Sequence, residues 1–299
     1  MIDTSPPLTL KPNLPVDSTT VLAIRQIHEA SKALGFPVFL VGAMARIILL
    51  ENIYGLQAGR ATTDVDFAFA LDNWEQFEAV KEFLVSNANF EESTNVPHRL
   101  LLQLPSLSCK LSVDLIPFGG IERSLNVMAW PPDMSVIMNV AGYSDALATA
   151  VKVEVSPGID MAIASLPGIV ILKLFAWEDR GQETRKDATD LAILFRSYHE
   201  AGNESRIYEE STFAALVAVE YDIELAGAWL LGKDVAVMAS AQTNRDLKEL
   251  LTGKKSGQLI EDMARTMLAK EDALEHSRRL FEQFTTGFIT GKVKSSQTD

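Results

Sequence analysis

The sequence predicts an α/β domain, built on a mixed sheet with flanking helices, that is followed by a helical C-terminal domain. Residues 62–70 alternate between apolar and polar or small side chains with period two, as a half-buried strand does. A short apolar run ends at Gly42 and is followed by helix-forming residues, which predicts a strand, a glycine turn and a helix. From Leu166 onward the apolar pattern becomes helical, so the chain divides into an α/β part and a helical part.

The composition is typical of a folded, non-membrane protein. The chain has 299 residues, of which 47% are hydrophobic and 22% are charged, and its single cysteine permits no internal disulfide. No apolar run is long enough to cross a bilayer, and the first residues lack the basic-then-apolar order of a signal peptide, so we expect a cytoplasmic protein without a membrane partner. The net charge of −13 argues against a broad DNA-binding surface but is compatible with a local basic pocket.

Four segments are predicted along the chain. Residues 1–16 contain four prolines and no apolar periodicity, which predicts a disordered lead-in. The α/β domain is expected over residues 17–160 and the helical domain over residues 161–290, with a long helix over residues 259–284. Residues 291–299 are polar, which predicts a disordered tail.

Capping residues predict where helices of the α/β domain begin and end. Asp17 or Ser18 begins a helix that ends at Gly35, because a short polar side chain can accept hydrogen bonds from the first free N–H groups and glycine tolerates the left-handed conformation. Asp72 and Asn73 cap the next helix in the same way. We expect the first of the two helices to cover one face of the sheet.

The turn at Gly42 is the first candidate ligand-binding feature. Helix N-termini attract phosphate through their unpaired N–H groups and the helix dipole, and a residue without Cβ permits close approach. We therefore expect this turn to seat a phosphate group.

Two aspartates, Asp64 and Asp66, lie on one face at the beginning of the strand predicted over residues 62–70. Two carboxylates this close repel each other, and one would become protonated without a bridging cation or strong hydrogen-bond donors. A divalent metal removes this repulsion, and Mg²⁺ is held by carboxylates together with substrate phosphates. The alternative is that Asp64 caps a loop and Asp66 faces solvent.

A third carboxylate, Asp114, lies inside the second of two neighbouring strands that are predicted over residues 99–104 and 110–117. A charge in a buried strand costs free energy unless it is paired or bound to metal. If this strand lies beside that of the aspartate pair, three carboxylates converge and can hold the metal ions of phosphoryl transfer. The alternative is an aspartate satisfied by backbone donors in a bulge. His98 precedes the first strand, where a histidine is usually a surface or hydrogen-bonded residue.

In the helical domain, Lys173, Ala176 and Arg180 lie on one face of a helix. Asp187 and Asp190 lie together on the next helix, so we expect Lys173 and this aspartate pair to face the sheet site across a cleft. The alternatives are a lysine that extends along a helix surface to water, and aspartates in a solvated first turn, where the helix dipole favours acids.

The chain resembles the polymerase-β-type nucleotidyltransferase fold in four residues: Gly42 opening a helix, Asp64 and Asp66 on the next strand, and Asp114 on a later strand. The resemblance covers about residues 20–200.

Two downstream stretches narrow the resemblance. Residues 172–180, LKLFAWEDR, and residues 185–191, RKDATDL, are similar to the AbiEii-like nucleotidyltransferases, the predicted toxin component of type IV toxin–antitoxin systems. Family members often carry Gly-Ser where this chain has Gly42-Ala43, and the missing hydroxyl leaves phosphate binding to backbone N–H groups.

The resemblance implies a nucleotidyltransferase domain over residues 17–160 that transfers a nucleoside monophosphate (NMP) from an NTP. The acceptor would be an RNA such as tRNA, a protein or a small molecule. The cofactor would be Mg²⁺ or Mn²⁺, and a cognate antitoxin protein would be a further partner. The expected metal ligands are Asp64, Asp66 and Asp114, the catalytic residues are these three and Lys173, and the nucleotide-binding residues are Gly42, Ala43, Arg46 and Lys173. Two rivals remain: an antibiotic-type enzyme that modifies small molecules, and a non-catalytic nucleotide-binding protein on the same fold, of which Ala43 would be the sign.

Overall fold

The computed structural model describes residues 6–104, 110–266 and 272–291. Contacts divide the chain into two compact units, Met1–Ser165 and Leu166–Asp299. The first unit contains the sheets and the second is helical, which confirms the predicted fold class. The assignment of separate functions to residues 17–160 and 161–290 stays a prediction.

Ten strands lie among the described residues. In chain order they are β1 (Leu8–Thr9), β2 (Val38–Val41), β3 (Asp64–Ala70), β4 (Phe90–Glu92), β5 (Arg99–Gln103), β6 (Lys110–Phe118), β7 (Val127–Trp130), β8 (Val136–Asn139), β9 (Val151–Ser156) and β10 (Ile159–Ile163). Eight of them form a mixed sheet in the order β1-β9-β10-β2-β3-β6-β5-β4, and β7 pairs with β8 in a separate two-stranded sheet. The predicted strands around Asp64 and Asp114 are therefore neighbours.

The centre of the large sheet is formed by β2, β3 and β6. Strand β2 is antiparallel to β3 with Val41 opposite Asp66, and β3 is parallel to β6 with Asp66 opposite Asp114. Phe39 and Phe67 are fully buried and contribute to the apolar core that holds these strands together. Because paired residues on neighbouring strands point to the same face, this register puts two aspartates side by side.

The helices of the first unit are α1 (Ser18–Leu34), α2 (Gly42–Ile47), α3 (Trp74–Asn87) and α4 (Tyr143–Ala148), and α2 continues into a π-helical segment, Ile48–Tyr54. The predicted caps are confirmed. Asp17 accepts hydrogen bonds from two backbone N–H groups at the start of α1, Gly35 ends that helix with a φ of 75°, and Asn73 caps α3.

The N-terminal segment differs from the prediction of a disordered lead-in. Leu8 and Thr9 pair in parallel with Val153 and Glu154 at the edge of the sheet, and the Lys11 ammonium group donates a hydrogen bond of 2.7 Å to a backbone carbonyl at the end of the π-helical segment. The prediction is therefore wrong for β1. A strand of two residues is too short for an alternating pattern to reveal it.

The second unit consists of helices. They are α5 (Leu166–Arg180), α6 (Lys186–Ser197), α7 (Glu204–Ile207), α8 (Glu210–Ala218), α9 (Ile223–Met238), α10 (Ala241–Thr252), α11 (Ser256–Ala264) and α12 (Ala273–Thr290). The helix predicted over residues 259–284 is thus two helices, α11 and α12. Residues 292–299 of the predicted disordered tail lie outside the described residues. None of the helices in the described ranges is long and apolar enough to cross a membrane.

Close contact between α9 and α12 depends on two glycines. A Cβ atom on Gly232 would overlap the backbone carbonyl of Phe284, and one on Gly287 would overlap that of Trp229. The absent side chains let the two helix backbones meet, which explains glycines inside helices where they otherwise cost stability. This packing builds the core of the second unit.

Candidate active site

Asp64, Asp66 and Asp114, which we call the carboxylate triad, lie together on one face of the large sheet. One oxygen from each side chain can be chosen so that all three lie within 4.8 Å of one another. Strand alternation puts Asp64 and Asp66 on one face of β3, and the parallel pairing of β3 with β6 adds Asp114 beside Asp66. Asp114 is buried, with 7% of its surface exposed, whereas the other two are half-buried. The sequence therefore predicted correctly that these carboxylates converge.

Gly42 lies against the carboxylate of Asp66. Its φ is +71°, a left-handed conformation that favours glycine, and a Cβ atom there would overlap Asp66 Oδ2 and stand 2.9 Å from Asp66 Cγ. The sequence predicted a glycine that makes room for phosphate. The structure shows that the room beside Gly42 is taken by a side chain of the triad.

Arg99 contacts the triad from strand β5. Its register opposite Asp114 is set by the antiparallel pairing of β5 with β6. The guanidinium donates from Nε to Asp114 Oδ1 at 2.7 Å and from Nη2 to Asp114 Oδ2 at 2.8 Å, and Nη2 lies 3.8 Å from Asp64 Oδ2. The hydrogen bonds with Asp114 raise the pKa of Arg99, burial opposes this, and the charges of the triad add to the rise. Arg99 thus stays a cation held by carboxylates.

His98 and Trp130 lie beside Asp114. His98 Nε2 is 3.9 Å from Asp114 Oδ2, and the rings of His98 and Trp130 have centroids 5.2 Å apart. Burial lowers the pKa of His98, the Asp114 charge opposes this, and the Arg99 charge lowers it further. A neutral imidazole next to an arginine avoids repulsion between two cations.

Hydrogen bonds from side chains hold the loop before β3 near the point where it enters the strand. Thr62 donates its hydroxyl to Asp64 Oδ1. Arg46, which the sequence assigned to the nucleotide, has no exposed surface and donates from Nη2 to the backbone carbonyl of Arg60 at 3.0 Å. This hydrogen bond connects Arg46 to the loop that leads to the triad. Ala43, in the first turn of α2, is 4% exposed.

Lys173, Arg180, Asp187 and Asp190, which we call the ion-pair cluster, lie within the second unit. Lys173 Nζ is 2.8 Å from Asp187 Oδ1 and 2.8 Å from Asp190 Oδ2, and both aspartates are fully buried. Arg180 donates to Asp187 from Nε at 2.8 Å and from Nη2 at 3.2 Å. Burial would raise the pKa of Asp187, but Arg180 and Lys173 outweigh it and hold the pKa below its usual value.

The two alternatives for these helical residues are thus replaced by a third arrangement. Lys173 is 7% exposed, so its ammonium group pairs with carboxylates inside the helical unit instead of extending along the surface to water. The aspartates of α6 lie in the interior. The helix periodicity indicated the correct faces, but pairing between α5 and α6 supplied the partners.

A family model described as the AbiEii nucleotidyl transferase toxin of type IV toxin–antitoxin systems matches residues 34–291. The chain belongs to this AbiEii family. The predicted family and the predicted enzyme class, a nucleotidyltransferase, are therefore confirmed.

Several solved structures are similar to this chain at low sequence identity. A putative nucleotidyltransferase from H. pylori is 13% identical, with 94% of this chain and 100% of that chain covered and a TM-score of 0.36. An antigenic nucleotidyltransferase-like protein from Paracoccidioides brasiliensis is 16% identical, with 71% and 94% covered and a TM-score of 0.41. The antibiotic-resistance factor ANT(2'')-Ia is 15% identical, with 69% and 99% covered and a TM-score of 0.36. No curated protein matches the sequence.

The triad of this AbiEii-family chain fits a divalent cation. Its ligand atoms are carboxylate oxygens, the donors that hard cations such as Mg²⁺ and Mn²⁺ prefer. Gly42 leaves space for the carboxylate of Asp66, and the Arg99 guanidinium already lies among these carboxylates, which shows that they accommodate positive charge. The residues present can therefore hold a divalent ion.

Sequence reasoning missed Arg99. The signal was a charged residue at the start of the apolar run RLLLQL, on the strand predicted beside that of Asp114. Whether Arg99 or its neighbour faces Asp114 depends on the hairpin register, which a shift of one residue reverses. The residues of the connecting loop, 105–109, lie outside the described residues. The interaction could be found only from the strand pairing.

Proposed function

We propose that this protein transfers an NMP from an NTP to an acceptor hydroxyl and releases pyrophosphate. The observation that carries the proposal is the carboxylate triad, whose oxygens lie within 4.8 Å of one another on two paired strands. Three carboxylates this close are costly without added positive charge, and a metal–nucleotide complex supplies it.

The proposal gives the triad two parts, metal binding and proton acceptance. Asp64 and Asp66 hold Mg²⁺ or Mn²⁺, and Asp114 completes the site. When bound, the divalent ion neutralises phosphate charge and stabilises the attacking and leaving oxygens. Asp114 also accepts the proton of the acceptor hydroxyl. A bond forms from the acceptor oxygen to the α-phosphorus, and the bond from that phosphorus to the pyrophosphate oxygen breaks.

The backbone around Gly42 is proposed to bind the triphosphate. The N–H groups of Gly42 and Ala43 lie at the start of α2, the end at which a helix favours negative charge. We propose a positioning role for Arg46, because its hydrogen bond to the Arg60 carbonyl fixes the loop that leads into β3. A fixed loop keeps Asp64 in the triad.

Lys173 is proposed as a further triphosphate contact. An ammonium group has three hydrogen-bond donors, and Asp187 and Asp190 accept two of them. The third N–H group would donate a hydrogen bond to a phosphate oxygen. In this proposal the aspartates orient the lysine, and the resemblance to the family, rather than a distance, supports its contact with nucleotide.

The test is transfer of label from each α-labelled NTP, in the presence of Mg²⁺ and a cell extract, followed by separation of RNA, protein and small molecules. We expect label in one of the three fractions, which then names the acceptor class. A parallel reaction with γ-labelled NTP should leave its label in pyrophosphate. Transfer of the γ-label to an acceptor would show that the protein transfers a phosphoryl group, as a kinase does, and would contradict nucleotidyl transfer.

The non-catalytic rival makes a different prediction in the same preparation. Ligands that bind only the folded state raise the melting temperature, so Mg²⁺ with NTP should stabilise the protein under either hypothesis. Stabilisation without transfer from any NTP to any fraction would favour a binding protein. If millimolar nucleotide neither stabilises the protein nor leads to transfer, the hypothesis of a nucleotide site is contradicted.

Membership of a type IV toxin–antitoxin family supports a cognate antitoxin protein as partner and a cytoplasmic site of action, where NTPs are abundant. We expect induced expression to stop bacterial growth and Asp66→Asn to abolish this effect at equal protein level. Unimpaired growth with a wild-type protein that transfers NMP in vitro would contradict the toxin role but not the transfer.

A further inference from the structure

Arg99 engages both oxygens of one triad member and approaches a second. Its Nε and Nη2 atoms lie 2.7 Å and 2.8 Å from the two oxygens of Asp114, in the fork geometry that makes such pairs strong. The same Nη2 atom is 3.8 Å from Asp64 Oδ2. The guanidinium therefore lies among the carboxylates to which the proposed function assigns the metal.

Arg99 and Asp114 differ in their exposure. The Arg99 guanidinium lies beside the carboxylates of Asp114 and Asp64, so it reduces the repulsion between them. Arg99 has 30% of its side chain exposed, whereas Asp114 has 10%. An arginine side chain that is partly open to solvent can withdraw without opening the core, while the buried aspartate stays in place.

We propose that Arg99 is a displaceable counter-cation of the carboxylate triad, which holds Asp114 before a divalent ion binds and competes with that ion for it. The proposal rests on the proposed function, because it takes the triad as the metal site. Asp114 would bind a metal ion through the same two oxygens that accept hydrogen bonds from Arg99. Both oxygens of Asp114 already accept a hydrogen bond from Arg99, so the guanidinium and a divalent ion compete for the charge of this carboxylate.

A consequence is that the wild-type triad binds free metal ions weakly. Removal of the competing cation should strengthen binding, since the guanidinium no longer competes for the charge of Asp114. We expect Arg99→Met to bind Mn²⁺ roughly tenfold more tightly than wild type. Arg99→Lys keeps the charge but not the two-armed contact, so its affinity should lie between the two.

The experiment is a titration of each purified full-length protein with Mn²⁺ alone, in which free Mn²⁺ is followed by electron paramagnetic resonance. Lys81→Met is the matched control, because Lys81 also pairs with two carboxylates of the first unit, Glu92 at 2.6 Å and Glu78 at 3.3 Å, and its loss changes the net charge equally. We expect no change of Mn²⁺ affinity in this control. A gain equal to that of Arg99→Met would overturn the proposal in favour of a general charge effect.

A second readout covers a poorly folded Arg99→Met protein. Without metal the unshielded carboxylates should lower its melting temperature, and saturating Mn²⁺ should raise that temperature more than it does for wild type. A merely structural arginine would give lower stability with unchanged or weaker Mn²⁺ binding, and this result would overturn the proposal. Arg99→Lys keeps the test valid if Arg99→Met does not fold.

Failure of this inference differs from failure of the proposed function. If wild type binds Mn²⁺ and Asp66→Asn does not, the triad is the metal site, and an unimproved affinity in Arg99→Met overturns only the role of Arg99. If wild type and Asp66→Asn bind Mn²⁺ equally, both are overturned.

Discussion

Two groups of aspartates, one in each compact unit, differ in their exposure and in the arrangement of their cations. The carboxylate triad brings three acids within 4.8 Å of one another, with the Arg99 guanidinium beside Asp64 and Asp114, and two of the acids are half-buried. The ion-pair cluster sets two fully buried acids against the two cations Lys173 and Arg180. Two acids of the triad are therefore partly open to solvent, whereas both acids of the cluster are enclosed with their cations.

The difference indicates which group needs a ligand. The charges of the buried cluster pair with one another. Removal of one partner leaves a buried charge unpaired, which lowers the stability of the fold strongly. Clustered carboxylates that are partly open to solvent can accept an added cation. We therefore expect the triad to bind a cation and the cluster to stabilise its unit, and four substitutions or conditions can break this comparison.

The largest effect is expected for Asp66→Asn. An amide cannot replace a charged metal ligand, so NMP transfer should fall by about a thousandfold or more. Asparagine is nearly isosteric with aspartate, so the variant should still fold. Asp160→Asn, on strand β10 of the same sheet and paired with Lys152, is the control that should retain activity. Normal transfer by folded Asp66→Asn would show that the triad holds no essential metal.

The next effect is expected for Lys173→Met. Loss of the ammonium group leaves Asp187 and Asp190 buried with less positive charge, which should cost about 3 kcal/mol in the free energy of unfolding measured with denaturant. Lys152→Met, which breaks the exposed pair with Asp160, should cost less than about 1 kcal/mol. Equal costs would mean that the cluster is not a structural unit. Weaker NTP binding by a folded Lys173→Met protein would support the predicted contact between Lys173 and the nucleotide.

A smaller effect is expected for Gly42→Ala. A left-handed conformation costs a non-glycine residue about 1–3 kcal/mol, and the new Cβ must also displace the Asp66 carboxylate. Gly158→Ala is the matched control, since Gly158 has a φ of +74° but no heavy atom within 4 Å of an added Cβ. The excess cost of Gly42→Ala measures the contact with Asp66. Mn²⁺ affinity should fall in Gly42→Ala only, and an equal fall in both proteins would contradict this role.

The smallest effect concerns pH. The pKa of Asp187 is lowered in the folded protein from its ordinary value of 3.8, so ionised Asp187 stabilises the fold above about pH 4, and this stability is lost as the pH falls further. The unfolding free energy of wild type should therefore exceed that of Asp187→Asn at pH 7, and the difference should shrink on acidification below pH 4. A difference that is constant over this range would exclude a charge effect.

The sequence by itself determined the local features of the protein. Capping by Asp17 and Asn73 and the ending of α1 at Gly35 depend on neighbouring residues along the chain, so they could be predicted. Alternation with period two put Asp64 and Asp66 on one face of β3 for the same reason. The strand β1 was missed because two residues give no pattern.

The tertiary structure decided which side chains meet. Parallel pairing of β3 with β6 brought Asp114 to the aspartate pair, and the register of β5 chose Arg99 as its partner. The packing of Asp66 against Gly42 and the burial of Lys173 between two aspartates are contacts of the same kind. Strand order and register are set by pairing between residues far apart in the chain, and a shift of one residue would turn each side chain to the other face. Periodicity fixes the face of an element, but only the folded chain fixes what lies opposite that face.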